Sequence, residues 1–221
     1  MKAYWWKHRN FGDNLTPLLL RHFAGFEVDW AKPQDAEWIG VGSIATHIPP
    51  GWSGTVWGSG KMRKRDHIDL SQAKVLALRG ELTAKDSGAT GDYVLGDPGL
   101  LVSLLPGVKR TNEHPVGVVP HWQDRWLPWR HRGMTISPLG DPLTVIRQIA
   151  SCSRIVSSSL HGLIVADAFG IERRWERAAN ATEFKFADYM SVVGDFPRST
   201  WSRVDRRRVK AAQQALLGVL Q

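Results

Sequence analysis

This sequence predicts an α/β fold, and three observations carry the prediction. Short apolar, β-branched stretches alternate with helix-length amphipathic ones. Glycine-rich or polar turns close several of the apolar stretches at their C-terminal ends. The rhythm breaks at a polar, turn-rich segment, "PGVKRTNEHP" (106–115), and restarts beyond it. Strands alternating with helices imply parallel sheets with covered faces. A break near the middle of 221 residues implies two such units, residues 1–110 and 111–221, each large enough for its own core.

The elements follow in order. "MKAYWW" reads as the first strand and "NFGDN" as the turn after it. "LTPLLLRHFAG" reads as a helix, with Thr16 as cap, Pro17 at the first position and Gly25 just past the end. Asp13 and Asn14 are alternative caps for the same helix. "FEVDW", "EWIGVGSI", "TVWGSG" and "KVLALRG" read as strands, and "ELTAKDSGA" as a short helix. Past the break, "VGVVPHW" and "MTISPL" are strands. "DPLTVIRQIASCS" is a helix capped by Asp141 with Pro142 at its first position, and it places Cys152 at a helix end. "RIVSSS" is a strand, "LHGLIVADAFG" a helix, and the tail "RVDRRRVKAAQQALLGVL" an amphipathic helix.

Composition narrows the chemistry. The formal net charge is +8, which favours anionic partners. Much of the excess sits in "KMRKRDH" (61–67) and "RVDRRRVK" (203–210), and such runs are ordinarily solvated faces. Nucleic acid is a conceivable partner on charge alone, but no nucleic-acid-binding motif accompanies it. Eleven tryptophans stand out, many beside polar or basic residues: Trp5, Trp6, Trp52, Trp122, Trp126 and Trp129. Cys152 is the single cysteine, so no intrachain disulfide forms, which suits a reducing compartment. No apolar run approaches membrane-spanning length, and the N-terminus turns polar within a few residues, unlike a secretory leader; both readings predict a cytoplasmic protein. Histidines are scattered with no zinc spacing, and no G-x-S-x-G elbow is present.

In open α/β sheets, ligands bind outside the C-terminal ends of strands. Polar residues fall there repeatedly: Gly12-Asp13-Asn14, Gly58-Ser59-Gly60, Arg79-Gly80, His121-Trp122, and the run Ser157-Ser158-Ser159-Leu160-His161. The last lies where a strand gives way to a helix, and a helix N-terminus favours an anion. Each cluster alone reads equally well as a turn or cap; their recurrence in two successive units points to a cleft between them.

Taken in order, "NFGDN", "WGSG", "LALRGELTA", "LGDPGLL", "VVPHW", "IVSSSLHGLIVADAFGI" and "EFKFADYM" resemble the polysaccharide pyruvyltransferase family over about residues 10–190. The late pair is the most specific part. The resemblance implies two Rossmann-like domains facing a cleft, as in GT-B glycosyltransferases, with the acceptor side in the first half and the donor motif in the second. It implies transfer of pyruvate from phosphoenolpyruvate to a sugar or glycan acceptor as a ketal, with release of phosphate. Phosphoenolpyruvate enters as donor substrate, and neither a cofactor nor a metal is called for. The resemblance makes His161 and Arg79 the catalytic candidates and Lys185 a donor-binding cation. Where the family often carries arginine two residues before the histidine, this chain has Ser159. The remaining substrate-binding candidates are Ser158, Ser159, Leu160, His121, Asn14, Asp13, Gly58 and Gly60. The chemistry suits these residue types: a carboxylate and a phosphate require cationic groups and helix N-termini, and protonation of the donor's methylene carbon suits a histidine. Two other functions fit the same composition: a glycosyltransferase using a nucleotide sugar, or a non-catalytic binder of nucleic acid or an anionic surface.

Overall fold

The computed structural model describes residues 1–8, 10–124, 127–178 and 182–221. Trp126 and the indole of Trp129 lie outside what is described. The protein is α/β, with two sheets of mostly parallel strands.

The first sheet holds β1 (Lys2–Tyr4), β2 (Asp29–Trp30), β3 (Trp38–Ile39), β4 (Thr55–Ser59), β5 (Lys74–Leu78) and β6 (Val94–Leu95). Its spatial order is β2-β1-β3-β4-β5-β6, and every pairing is parallel. The second sheet holds β7 (His114–Val119), β8 (Met134–Thr135), β9 (Cys152–Ser157), β10 (Glu172–Trp175) and β11 (Trp201–Ser202), in the order β11-β10-β9-β7-β8. Only β11 runs antiparallel. The two sheets fall on either side of the polar 106–115 segment, whose last residues already belong to β7.

Several elements are shorter or shifted relative to the sequence pattern. "FEVDW" contributes only Asp29–Trp30, and "EWIGVGSI" only Trp38–Ile39, because each pairs with the three-residue β1. The first helix, α1 (Leu15–Ala24), begins two residues before Pro17. Asn14 rather than Thr16 occupies its N-cap, and Thr16 is a buried residue inside the first turn. Pro17 fits there because first-turn N–H groups have no partner inside the helix. Gly25 closes the helix at φ 69°, in the left-handed region, and its N–H bonds to Leu20 O. α2 (Glu81–Ala84), α3 (Leu127–Arg130) and α4 (Pro142–Ala150) follow, and Asp141 caps α4 by accepting from Thr144 N. Cys152 opens β9 instead of ending a helix, and it is fully buried.

Alternation along the strands feeds two faces. Ala3, Trp57 and Ala77 face the main core, while Tyr4, Val56, Val75 and Leu78 face a second cluster on the other side of the first sheet. In the second sheet, Val119 and Ile155 join the same main core, and Val118 and Val156 face a third, smaller buried cluster with Leu127 on the other side. One apolar core thus runs through both halves. At its centre lies α5 (Leu160–Ala168), all nine of whose residues are buried. A helix apolar all round belongs in such a position. The last two helices return to the first half. In α6 (Phe184–Val193), Asp188 binds Arg79 and Thr83. In α7 (Arg206–Gly218), Leu216 O accepts from Trp57 Nε1 and Gln213 Nε2 donates to Leu100 O. Among the described residues no helix is long and apolar enough to cross a membrane.

The strand order fixes where a ligand can sit. In the first sheet the chain goes from β1 outward to β2, then crosses to β3 on the opposite side of β1. In the second it goes from β7 to β8, then crosses to β9 on the opposite side of β7. Each reversal leaves a crevice at the C-terminal ends of the two central strands. For the first sheet those ends lead into Trp6 and Ser43; for the second they lead into His121 and Ser159.

Candidate active site

Both crevices open onto one cavity of about 270 Å³. Trp6, Asn10 and Asp13 come from the segment after β1, and Ser43, Ile44 and His47 from the segment after β3. His121 and Trp122 follow β7, and Ser159, Leu160 and His161 follow β9. Lys185 of α6 and Met62 complete the wall. The lining thus draws on segments that follow strands of both sheets.

His161 sits in the first turn of α5 and is only 8% exposed. Its Nε2 is buried with no hydrogen-bond partner, an unusual condition for a ring nitrogen. The other side of the ring rests on Gly12: a Cβ there would lie 1.9 Å from His161 Nδ1. Phe11 meets the same ring edge-on at 6.3 Å. The glycine of "NFGDN" is therefore a seat for the histidine. Burial, reinforced by the charges of Lys185, Arg79 and His121, pushes the imidazole down to about 3, so the ring is neutral at pH 7.

The α5 N-terminus is uncapped. Ser159 occupies the N-cap, but its hydroxyl makes no bond to the first turn. Lys185, 8% exposed, stands in the same cavity. Burial lowers its ammonium to about 8; the Asp13 carboxylate opposes that shift and Arg79 adds to it. Asp13 is held by Asn10, whose Nδ2 donates to Oδ2 at 2.6 Å. Burial raises the Asp13 carboxyl to about 6, against the pull of Lys185 and the Asn10 bond. His121 is pushed down to about 4, chiefly by burial and then by Lys185, with Asp124 opposing.

Other predicted site residues support the pocket from behind. Arg79 is fully buried and does not line the cavity. Its Nε and Nη2 both donate to Asp188 Oδ2 at 2.9 Å, Nη1 donates to Ser43 Oγ at 2.6 Å, and Nη2 also donates to Lys61 O at 2.6 Å. The guanidinium thus ties β5 to α6, the helix of Lys185, and fixes pocket residue Ser43. The guanidinium is held by protein groups behind the cavity wall, and Arg79 is not among the lining residues. Gly60 lies against this group, where a Cβ would be 2.5 Å from Arg79 Cζ; Gly58 has φ +83° and packs on Pro98. Both glycines are buried packing positions and are not among the residues that line the cavity. Asn14 is spent inside its own loop: Oδ1 accepts from Trp5 Nε1 at 3.1 Å, and Nδ2 donates to the carbonyls of His8 and Asn10. Ser158 is fully buried; its hydroxyl accepts from His121 N at 2.8 Å and donates to Asp124 Oδ2 at 2.9 Å, so it sets the His121-Trp122 loop. Ser157 Oγ accepts from Ser159 N and pins the strand–helix turn.

The sequence pattern did not single out Asn10, Ser43, Ile44, His47 or Met62 as site residues, and Trp6 only as a tryptophan beside polar neighbours. His47 Nδ1 lies 2.7 Å from Tyr4 OH, and its ring is 5.3 Å from that of Trp6. Their convergence depends on crossovers between strands, which no local signal encodes.

Comparison with known proteins bears on this site. The family described as polysaccharide pyruvyl transferase matches residues 48–173, a span containing His121 and His161. The chain is 30% identical over 214 residues to the succinoglycan biosynthesis protein ExoV of Rhizobium meliloti (strain 1021), covering 88% of this chain and 65% of that protein. It is 34% identical over 115 residues to the uncharacterized protein L143 of Acanthamoeba polyphaga mimivirus, covering 45% of this chain and 40% of that protein. The chain thus spans less than two thirds of the length of either relative. No solved structure matches it significantly.

Proposed function

Because this chain belongs to the polysaccharide pyruvyl transferase family, we propose that its cavity transfers pyruvate from phosphoenolpyruvate to a sugar or glycan hydroxyl pair, forming a ketal and releasing phosphate. One observation carries the proposal. The uncapped N-terminus of α5, the cation of Lys185 and the unpartnered Nε2 of His161 converge on one cavity. An anionic donor supplies what all three lack. Lys185 takes over the charge that the family's arginine brings where this chain has Ser159. On this reading the two sheets are the facing halves of a GT-B-like enzyme, divided near residue 110, with the cavity between their strand ends.

The reaction divides among the residues as follows. A sugar hydroxyl attacks C2 of the donor while C3 accepts a proton and becomes the methyl group. A second hydroxyl then displaces phosphate at C2, closing the ketal and giving its proton to the departing phosphate. His161 delivers the C3 proton. It is neutral at pH 7, and the negative charge of the bound donor raises its proton affinity before the step. Asp13, ionised above about pH 6, takes the proton released by the attacking hydroxyl. Lys185 holds the donor's anionic groups.

The test is release of inorganic phosphate from phosphoenolpyruvate with a panel of glycans, comparing wild type with His161→Ala and His161→Gln. General acid–base catalysis contributes about 10²–10⁴-fold, so both variants are expected to lose that factor and keep the fold. Wild-type activity retained by both variants would remove His161 from the mechanism. Turnover of a nucleotide sugar in place of phosphoenolpyruvate would replace the donor.

A further inference from the structure

The cavity has two unlike regions. Its charged part is Asp13, Lys185 and His161. Its other part is aromatic and partly open: Trp6 is 37% exposed and Trp122 is 50% exposed. Met62, 36% exposed, belongs to the same wall. Among the described residues, three of the seven exposed large apolar side chains therefore line this one cavity. Exposed indoles gathered at a pocket mark a binding surface, since scattered exposure would not concentrate them there.

The two tryptophans come from different sheets, Trp6 after β1 and Trp122 after β7, and each is set by its surroundings. Trp6 stacks obliquely on His8 at 4.7 Å and on His47 at 5.3 Å, and His47 is in turn fixed by Tyr4 OH. Trp122 follows His121, whose backbone N–H is fastened to Ser158 Oγ. These contacts limit the loss of side-chain freedom on binding.

We infer that Trp6 and Trp122 form the acceptor platform, receiving the apolar C–H face of a pyranose ring while its hydroxyl edge turns to Asp13 and His161. A pyranose combines a face of C–H bonds with a rim of hydroxyls, matching an indole surface that continues into polar groups. The cations and helix N-terminus suit the small anionic donor, which has no apolar face to offer the indoles. The inference rests on the pyruvyl-transfer reading for the identity of the ring as acceptor, while sugar binding itself is measurable without turnover.

The experiment titrates the protein, without donor, with methyl glucoside, methyl galactoside, methyl mannoside and a short β-linked glucose oligosaccharide, following tryptophan fluorescence and heat. Trp6→Ala, Trp6→Phe, Trp122→Ala and Trp122→Phe are titrated in parallel, along with phosphoenolpyruvate and uridine as probes. Wild type is expected to bind at least one sugar saturably. Each alanine variant should weaken that binding about tenfold, or about 1.4 kcal/mol. Each phenylalanine variant should recover part of the loss, and phosphoenolpyruvate affinity should stay at the wild-type level. The inference is overturned if no sugar binds, if the alanine variants bind sugars as wild type does, if sugar and phosphoenolpyruvate weaken together, or if uridine binds to the indoles in preference to the sugars. Tryptophan-dependent sugar binding in a protein that never releases phosphate would sustain the platform and reject the proposed reaction.

Discussion

Gly12→Ala is the substitution whose effect follows most directly from the geometry. A Cβ at residue 12 would fall 1.9 Å from His161 Nδ1 and 2.2 Å from Cγ. Ordinary contact begins near 3.5 Å, so ring and loop must separate by roughly 1.5 Å. The backbone at residue 12 is outside the positive-φ region, so alanine itself imposes no backbone strain. The cost lies in the overlap. Overpacking of this kind costs about 1–3 kcal/mol, which in a chain of this size lowers Tm by roughly 2–12 °C. The effect on catalysis should be larger, because a 1 Å misplacement of a reacting group costs about 10²-fold. Phosphate release is therefore expected to fall at least 10²-fold in Gly12→Ala. The decisive comparison is the double variant Gly12→Ala/His161→Ala. Removing the ring removes the clash, so the double variant should be as active as His161→Ala alone and more stable than Gly12→Ala. Turnover of Gly12→Ala within threefold of wild type would refute the reasoning, as would strictly additive losses in the double variant.

Three further outcomes are expected. Arg79→Ala should destabilise the protein by about 3–5 kcal/mol, since it leaves Asp188 charged and buried without its partner; thermal denaturation checks this. Arg79→Lys, which keeps charge but loses the fork, should lower Tm by several degrees with donor affinity near wild type once folded; a large donor defect at unchanged Tm would return Arg79 to the substrate. In pH profiles of kcat/KM, activity should fall below about pH 6, as Asp13 gains a proton, and above about pH 8, as Lys185 loses one. Lys185→Arg should move only the alkaline limb, upward.

How much of this was legible in the sequence depended on whether the signal was local. The strand–helix turn at Ser157–His161 was readable because β-branched residues, small polar residues and an apolar helix follow one another directly. Asp141 and Pro142 marked the start of α4 for the same reason. Pro17 misled by two residues, because proline is tolerated throughout a first turn whose N–H groups are free. Arg79 was located correctly at a strand end, but its burial depended on Asp188, 109 residues away, and nothing near either residue announces the pair. Gly12 reads in the sequence only as a turn glycine, because its contact with the His161 ring joins segments far apart in the chain. Trp6 and Trp122 could be noted as tryptophans beside polar neighbours, but only the crossovers of two sheets bring them to one cavity. Gly58 and Gly60 read as strand-end substrate-binding candidates; the fold uses them to let Pro98 and Arg79 approach.

The central claim is that an anionic donor sits between the α5 N-terminus, Lys185 and His161. A crystal structure of the protein with phosphoenolpyruvate bound tests it most directly. The account predicts density for the donor in this cavity, with its anionic groups on the α5 N-terminus and Lys185 Nζ and its methylene carbon facing His161. Density absent from the cavity at saturating phosphoenolpyruvate, or present only against the basic segment 203–210, would contradict it.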